Sequence, residues 1–428
     1  MTNPYAGRSH ADLAELAREL LLAGHLIDRS GMPHLIARLG RDGMRDIAID
    51  EWRSASPIYT PRMQRLLGFE ADTVETIFKG MQLDVGAPPE FMDFRYEVHD
   101  DHHGSFHLDH CGALMDVEPM GDDYVRAMCH DIEDPTFDAT AAVTNPRARM
   151  RPVHRPPRTP ADRSPHCAWT VTIEPDVEPL PFPPGASALA TSYAARLPLA
   201  TPTPGLPDDD GWTSYDSPLD PDLVMERFSS ATLSAICDEV ALQGHLLARA
   251  YLVEVADRLG SDEAIALGIK AATGIAGLVA KRLAALVGGA PGVDAVAGVL
   301  DVHPMFLPRS YVDLRTHRPQ LTLVLGEGPA PGVDALRISI GAGSPPLAEP
   351  DALTWTALLA GPGGDAIVAA AVQCAQPRAR LTRVEASRAE AAAWIVSVDP
   401  AHDPVPQPDE VTLTEFSTGA AFAFERRS

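Results

Sequence analysis

Residues 22–26 read Leu22-Ala23-Gly24-His25-Leu26, and residues 242–246 read Leu242-Gln243-Gly244-His245-Leu246. The same offset of 220 relates Arg38-Leu39-Gly40 to Arg258-Leu259-Gly260. Further on, Pro146-Arg147-Ala148-Arg149-Met150 is matched by Pro377-Arg378-Ala379-Arg380-Leu381, and Ala168-Trp169-Thr170-Val171 by Ala393-Trp394-Ile395-Val396. The order of the matches is kept while the offset drifts upward, as it does when copies of one unit differ in loop length. The chain therefore reads as a first module at 8–176, a Pro/Asp-rich linker at 177–227, a second, degenerate copy at 228–403 and a C-terminal tail at 404–428.

Within the first module Leu13, Leu16 and Leu20, then Leu35, Ile36 and Leu39, fall at helical spacing. The interruption at Gly31-Met32-Pro33 predicts two helices meeting at a turn, and Arg62–Phe78 reads as a third helical stretch. Beyond Gly86-Ala87-Pro88-Pro89 the pattern shortens to Phe91–Val98, Ser105–Cys111, Arg149–Arg155 and Cys167–Glu174, which read as strands. Tyr124, Val125, Met128, Cys129 and Ile132 predict a short helix ending before Pro135. Helices followed by a small, mostly antiparallel sheet make an α+β unit. Two such duplicated modules are expected to pack as a pseudo-dimer about a pseudo-two-fold axis.

The chain has 428 residues, 45% of them apolar, enough for two or three packed domains. A formal charge of −24 repels polyanions, which excludes nucleic acid and anionic membrane surfaces as partners. The first twenty residues lack the basic run and apolar core of a secretory signal, and no long apolar stretch predicts a membrane span. Five Cys without a disulfide framework point to a reducing, cytoplasmic setting. Homo-oligomerisation stays open.

Chemistry-bearing side chains concentrate in one place. His99 to Cys111, HDDHHGSFHLDHC, holds five His, three Asp and one Cys, and Cys129, His130, His154, His166 and Cys167 follow. These groups bind metals or move protons near neutral pH. His99, His102 and His103 read as a solvated turn. On a strand from Ser105 to Cys111, alternation places His107, Asp109 and Cys111 on one face. The duplication offers an internal comparison: Cys167 corresponds to Ala392, His154 to Glu385, Arg151 to Thr382, Arg155 to Ala386, and His107–Cys111 to Leu321–Leu325. Groups present in one copy alone are candidates for function, whereas His25 and His245, kept in both, read as structural. The site is thus expected in the first module, with the second as a non-catalytic support.

Three readings follow. In the first, Cys111 or Cys129 is a nucleophile, His107 or His130 its general base, Asp131 the orienting acid, and Arg151 and Arg155 hold a substrate carboxylate. In the second, Cys111, Cys129 and Cys167 with His154 or His107 bind zinc or iron, as a closed scaffold site or an open catalytic one. The spacing Cys-x17-Cys-x37-Cys is not that of a paired zinc motif. In the third, two related modules enclose a small-molecule pocket without turnover, and the His cluster sets its pH response.

The segment 91–174 resembles the 2-amino-thiazoline-4-carboxylate hydrolase-like family. The resemblance is carried by a strand ending in Cys (FHLDHC), a short helix closing on Cys129 with Asp131 after it, and a Cys opening an aromatic-containing strand (CAWTVTI). It covers about a fifth of the chain and only its first module. It implies a hydrolase that acts on a C–N bond of a small cyclic amidine-like molecule through cysteine chemistry.

Overall fold

Ser9 accepts the Asp12 amide at 3.2 Å while Asp12 accepts the Ser9 amide at 3.1 Å. This reciprocal capping box starts helix α1 (His10–Leu67). The computed structural model describes residues 3–207, 210–288, 292–319 and 334–424. Helix α1 runs through Pro33, Pro57 and Pro61, and its break falls at Gly40, at φ 73°. The turn expected at Gly31-Met32-Pro33 is therefore helical, and the chain bends where a residue without Cβ enters the left-handed region at no steric cost. Gly31 serves packing instead, since a Cβ there would lie 2.8 Å from the Tyr251 ring. The stretch Arg62–Phe78 is also two helices: α1 closes on Gly68 at φ 69°, and α2 (Val74–Met81) starts after the capping side chain of Thr73.

Four strands follow, β1 (Met92–Asp100), β2 (His103–Cys111), β3 (Ala148–His154) and β4 (Cys167–Ile173). They form an antiparallel sheet of order β1-β2-β4-β3. Between β2 and β3 the expected short helix does not stop before Pro135. Asp122–Arg126 passes into a π-helical turn at Ala127–Ile132 and continues as Glu133–Ala142. Pro135 sits in the first turn of that last segment, where its missing N–H is tolerated. Phe106 on β2 stacks near Trp169 on β4 with centroids 6.2 Å apart, and Phe137 meets Trp169 edge-on at 5.0 Å. The sheet's inner face is thereby joined to the covering helix.

The second half repeats this plan. Helices Ser230–Leu259 and Ser261–Val287 flank Gly260, at φ 90°, in the position that Gly40 takes in α1. Strands β5 (Leu314–His317), β6 (Asp334–Gly341), β7 (Ala379–Val384) and β8 (Glu390–Val398) form an antiparallel sheet of order β5-β6-β8-β7. Phe106 pairs with Trp169 and Ile338 with Trp394, so β6 stands where β2 does. Leu321–Leu325, expected at that place, lies outside the described residues. The strand that occupies it, DALRISIG, also carries neither Cys nor His. A bulge at Pro152 and His154 shifts the other comparison by one, pairing His154 with Ala168 as Val384 pairs with Ala393.

The long helices of the two halves pack on each other. Arg62 on α1 binds Glu239 at 2.8 Å, and Arg282 binds Glu19 at 2.7 Å, so each half supplies one arginine and one glutamate at corresponding positions. Helix Ser261–Val287, unlike the sequence expectation, is long and apolar enough to cross a membrane, but 72% of that apolar window is buried inside the protein. Described parts of the segment 177–227 lie against both halves: Lys79 donates to the Ser217 carbonyl and Gln82 to that of Asp220, while Glu239 accepts the Ala200 amide and Glu349 that of Tyr193. The C-terminal segment folds back too, with Ser417 and Thr418 hydroxyls each donating to Asp116 at 2.7 Å. Removing one member of the buried Arg62–Glu239 pair strands a charge, so Arg62→Met is expected to lower stability by about 3–5 kcal/mol. Replacing both with Met and Leu is expected to restore most of it, as read from urea unfolding.

Candidate functional site

The first half encloses a cavity of about 90 Å³ between α1, the turn after α2, the sheet and the helix Glu133–Ala142. Helix α1 supplies His25, Asp28 and Arg29 from its first half and Trp52 and Tyr59 from its second. Asp84 comes from the turn after α2, while Glu133, Thr136, Phe137 and Thr140 come from the opposite wall. The π-helical turn adds Met128 and Ile132. Such one-residue expansions re-aim a helix face and recur at functional sites. Met32, Met81, Met92 and Met150 complete a pliable apolar lining.

The polar groups are buried and largely matched. Arg29 uses all three of its nitrogens: Nη1 donates to Asp28 at 3.0 Å, Nε to Asp116 at 3.3 Å, and Nη2 lies 3.4 Å from His25 Nε2. Trp52 donates its indole N–H to Asp28 at 3.2 Å. Burial raises the Asp28 pKa against the pull of Arg29, and burial together with Arg29 lowers that of His25. Asp84 accepts the Tyr59 hydroxyl at 2.9 Å and the Gly86 amide at 2.7 Å, yet burial still pushes it up to about 6. Glu133 is pushed further, to about 8, by burial opposed by Arg155. Its Oε2 is inaccessible and has no hydrogen-bond partner, and the same holds for Glu51 Oε1. Glu51, beside Asp28, is raised well above the usual carboxylate range by burial.

Comparing the halves isolates these groups. At the offset of 220, Asp28, Glu51, Trp52 and Tyr59 face Ala248, Ala271, Ala272 and Val279. Val85, whose backbone bonds His25, follows Asp84, whereas Leu307, bonded by His245 at 2.9 Å, follows Phe306. At the offset of 231 that relates the β3 and β7 matches, Glu133, Thr136 and Thr140 face Gly364, Ile367 and Ala371. Arg29 alone of the cavity's charges recurs, as Arg249, where it binds Asp351 and Glu349. Of the compared cavity groups, the second half keeps only the counterparts of His25 and Arg29.

None of the residues singled out by sequence for the site lines this cavity, and they do not form one cluster. Cys111, Cys129 and Cys167 are buried and lie within electrostatic reach of each other and of Glu133. Burial pushes Cys111 up to about 12 and the other two well above the usual thiol range, so all three are thiols at neutral pH. Cys111 caps the helix Gly112–Val117 by accepting the Leu114 amide at 3.3 Å. It does not share a face with His107 and Asp109. Met92 pairs with Cys111 and Phe94 with Leu108, so β2 holds one extra residue there, and this bulge returns Cys111 to the buried side while His107 and Asp109 stay outside.

His107 lies 3.5 Å from Asp109 and is 44% exposed. His130 bonds the Pro156 carbonyl at 2.7 Å, and Asp131 faces Arg45 at 3.4 Å on the surface. Arg151 binds Asp138 at 2.9 Å, and Arg155 binds Asp134 and lies over the Trp169 ring. His154 lies near His107 and Arg163. Among the described residues no group of three or more His, Cys, Asp and Glu is arranged to hold a metal ion. No family model, curated protein or solved structure matches the chain.

The acids impose a pH dependence. The native pKa of Glu133, about 8, exceeds its unfolded value near 4.5, so the folded state holds the extra proton between those limits. Stability is then greatest below about pH 4.5 for this group and declines as pH rises to about 8. The change is expected to be on the order of a few kcal/mol and to be much reduced in Glu133→Gln, as read from urea midpoints at pH 5 and pH 8.

Proposed function

We propose that the chain is a small-molecule enzyme working by acid–base chemistry in the first-half cavity, with a C–N hydrolase as the reaction class. The carrying observation is the pair of cavity carboxyls held at different protonation: Asp84 at about 6 and Glu133 at about 8. At neutral pH the first is mostly a base and the second mostly an acid, the separation that general acid–base catalysis requires. Tyr59 positions Asp84, and Arg29 with Asp28 and Trp52 forms a fixed polar floor. The nucleophile in this reading is a water that gives its proton to Asp84 as it attacks the carbon, while Glu133 protonates the departing nitrogen.

In this reading the buried thiols, none of which lines the cavity, do not attack substrate. The second half is a degenerate copy that supports the first across a pseudo-two-fold interface. The reciprocal pairs Arg62–Glu239 and Arg282–Glu19 support that packing.

The test is hydrolysis of small cyclic amidines and amides followed by proton NMR. Asp84→Asn is expected to lower turnover by about 100-fold or more, whereas Cys111→Ser keeps most of it. The reverse pattern would return the chemistry to a thiol nucleophile.

A further inference from the structure

The repeat does not end with the sheets. At a constant offset of 225, the helix Pro184–Leu189, opened by Pro183, matches the helix Asp409–Thr414, opened by Pro408, and the capping Ser192 matches Ser417. Each segment is tied to its own sheet in the same way: the Leu180 amide donates to the Pro146 carbonyl and the Val405 amide to that of Pro377, both at 2.7 Å. Each is then held by the arginine that crosses between the halves, Arg62 donating to the Ala195 carbonyl at 3.3 Å and Arg282 to that of Ala420 at 3.2 Å. The segments 177–195 and 402–420 are therefore two copies of one arm.

Each arm reaches an acid of the opposite half. The Tyr193 amide donates to Glu349 at 2.6 Å, and the Thr418 amide, at the matching position, donates to Asp116 at 2.7 Å. Those acids bind corresponding arginines, Glu349 to Arg249 at 3.2 Å and Asp116 to Arg29 at 3.3 Å. The arms differ in one respect. Ser417 and Thr418 each add a hydroxyl to Asp116, whereas Ser192 Oγ accepts the Ala195 amide and Tyr193 is 41% exposed, its ring beneath Arg196. The added donors serve the arginine that lines the first-half cavity.

Resting on the reading above of two halves related by a pseudo-two-fold, we infer that the halves are fused subunits of an arm-exchanging dimer and that Ser417 and Thr418 are positioning residues of the first-half cavity, acting through Asp116 on Arg29. The arm donates to both oxygens of Asp116, which fixes the carboxylate's orientation and Arg29 Nε with it. The same guanidinium donates through Nη1 to Asp28, which also accepts the Trp52 indole N–H, so the arm's hold extends to the cavity wall. The first-half site is incomplete without the second half's arm, and a copy without the cavity's acids is retained for what its arm supplies.

The experiment follows side-chain N–H exchange by NMR on the full chain carrying isotope-labelled arginine. Ser417→Ala combined with Thr418→Val keeps the backbone amide and removes both hydroxyls. Exchange of the Arg29 Nε–H is expected to speed up by about tenfold or more, while that of Arg62 and Arg249 stays unchanged. Thr418→Ser, which keeps the hydroxyl, should behave as wild type. Arg29 unmoved, or all three arginines exchanging faster together, would overturn the positioning role and leave the paired halves standing. The second arm of the experiment inserts a protease site between Asp208 and Asp209, cuts the folded chain there and passes it over a sizing column. Halves that stay together with the Arg29 Nε–H still protected are the expected result. Halves that part at micromolar concentration would overturn the pseudo-two-fold reading and the inference together.

Discussion

Helix α1 packs on one side against the π-helical turn and the helix Glu133–Ala142 and on another against the long helices of the second half, so the polar side chains on those two faces cannot turn to water. A buried charge without a partner is far costlier than any surface contact gains, and each such side chain on α1 has had to be matched or neutralised. Arg62 is matched across the halves by Glu239, and Arg29 within the first half by Asp28 and Asp116. Glu51 has no cation within bonding distance and is held toward its neutral form. The corresponding helices of the second half meet the same constraint with Ala248, Ala271 and Ala272. A fold that can be built with alanine at these places does not need carboxylates there, and their retention in one half is what marks the cavity.

The C-terminal segment belongs to this arrangement. Asp116 receives Ser417, the Thr418 amide and the Thr418 hydroxyl on one side and Arg29 on the other. Four donors on one buried carboxylate fix it firmly, and through it the guanidinium that forms the cavity floor. The last described stretch of chain is thereby linked to the centre of the first half.

Much of the architecture was legible in sequence, because a repeated Gly-His pair and a repeated Trp strand are local signals that survive divergence. The four strands of the first half belong to that legible part, whereas Gly31-Met32-Pro33 drew the expected turn away from Gly40, where the helix breaks. Packing of Gly31 on Tyr251 is a long-range reason that no local pattern carries. The cavity's polar groups lie outside the residues that the sequence singles out for function. The density of His and Cys at 99–111 drew attention to a hairpin whose His102 and His103 stabilise a turn on Asp100, and a one-residue bulge then separated Cys111 from His107. Asp28, Glu51, Trp52 and Tyr59 carried the stronger signal. They sit at a constant offset from small or apolar residues, the same contrast between copies that sets Cys167 against Ala392.

The proposed acid–base pair depends on a carboxylic acid kept protonated inside the first half at neutral pH. The most direct test is difference infrared spectroscopy, wild type minus Glu133→Gln, titrated from pH 5 to pH 10. A protonated-carboxyl carbonyl band that is present at pH 7 and disappears with a midpoint near 8 is the predicted result. A band already lost by pH 6 would show Glu133 ionised like an exposed glutamate, and the acid–base pair would not exist.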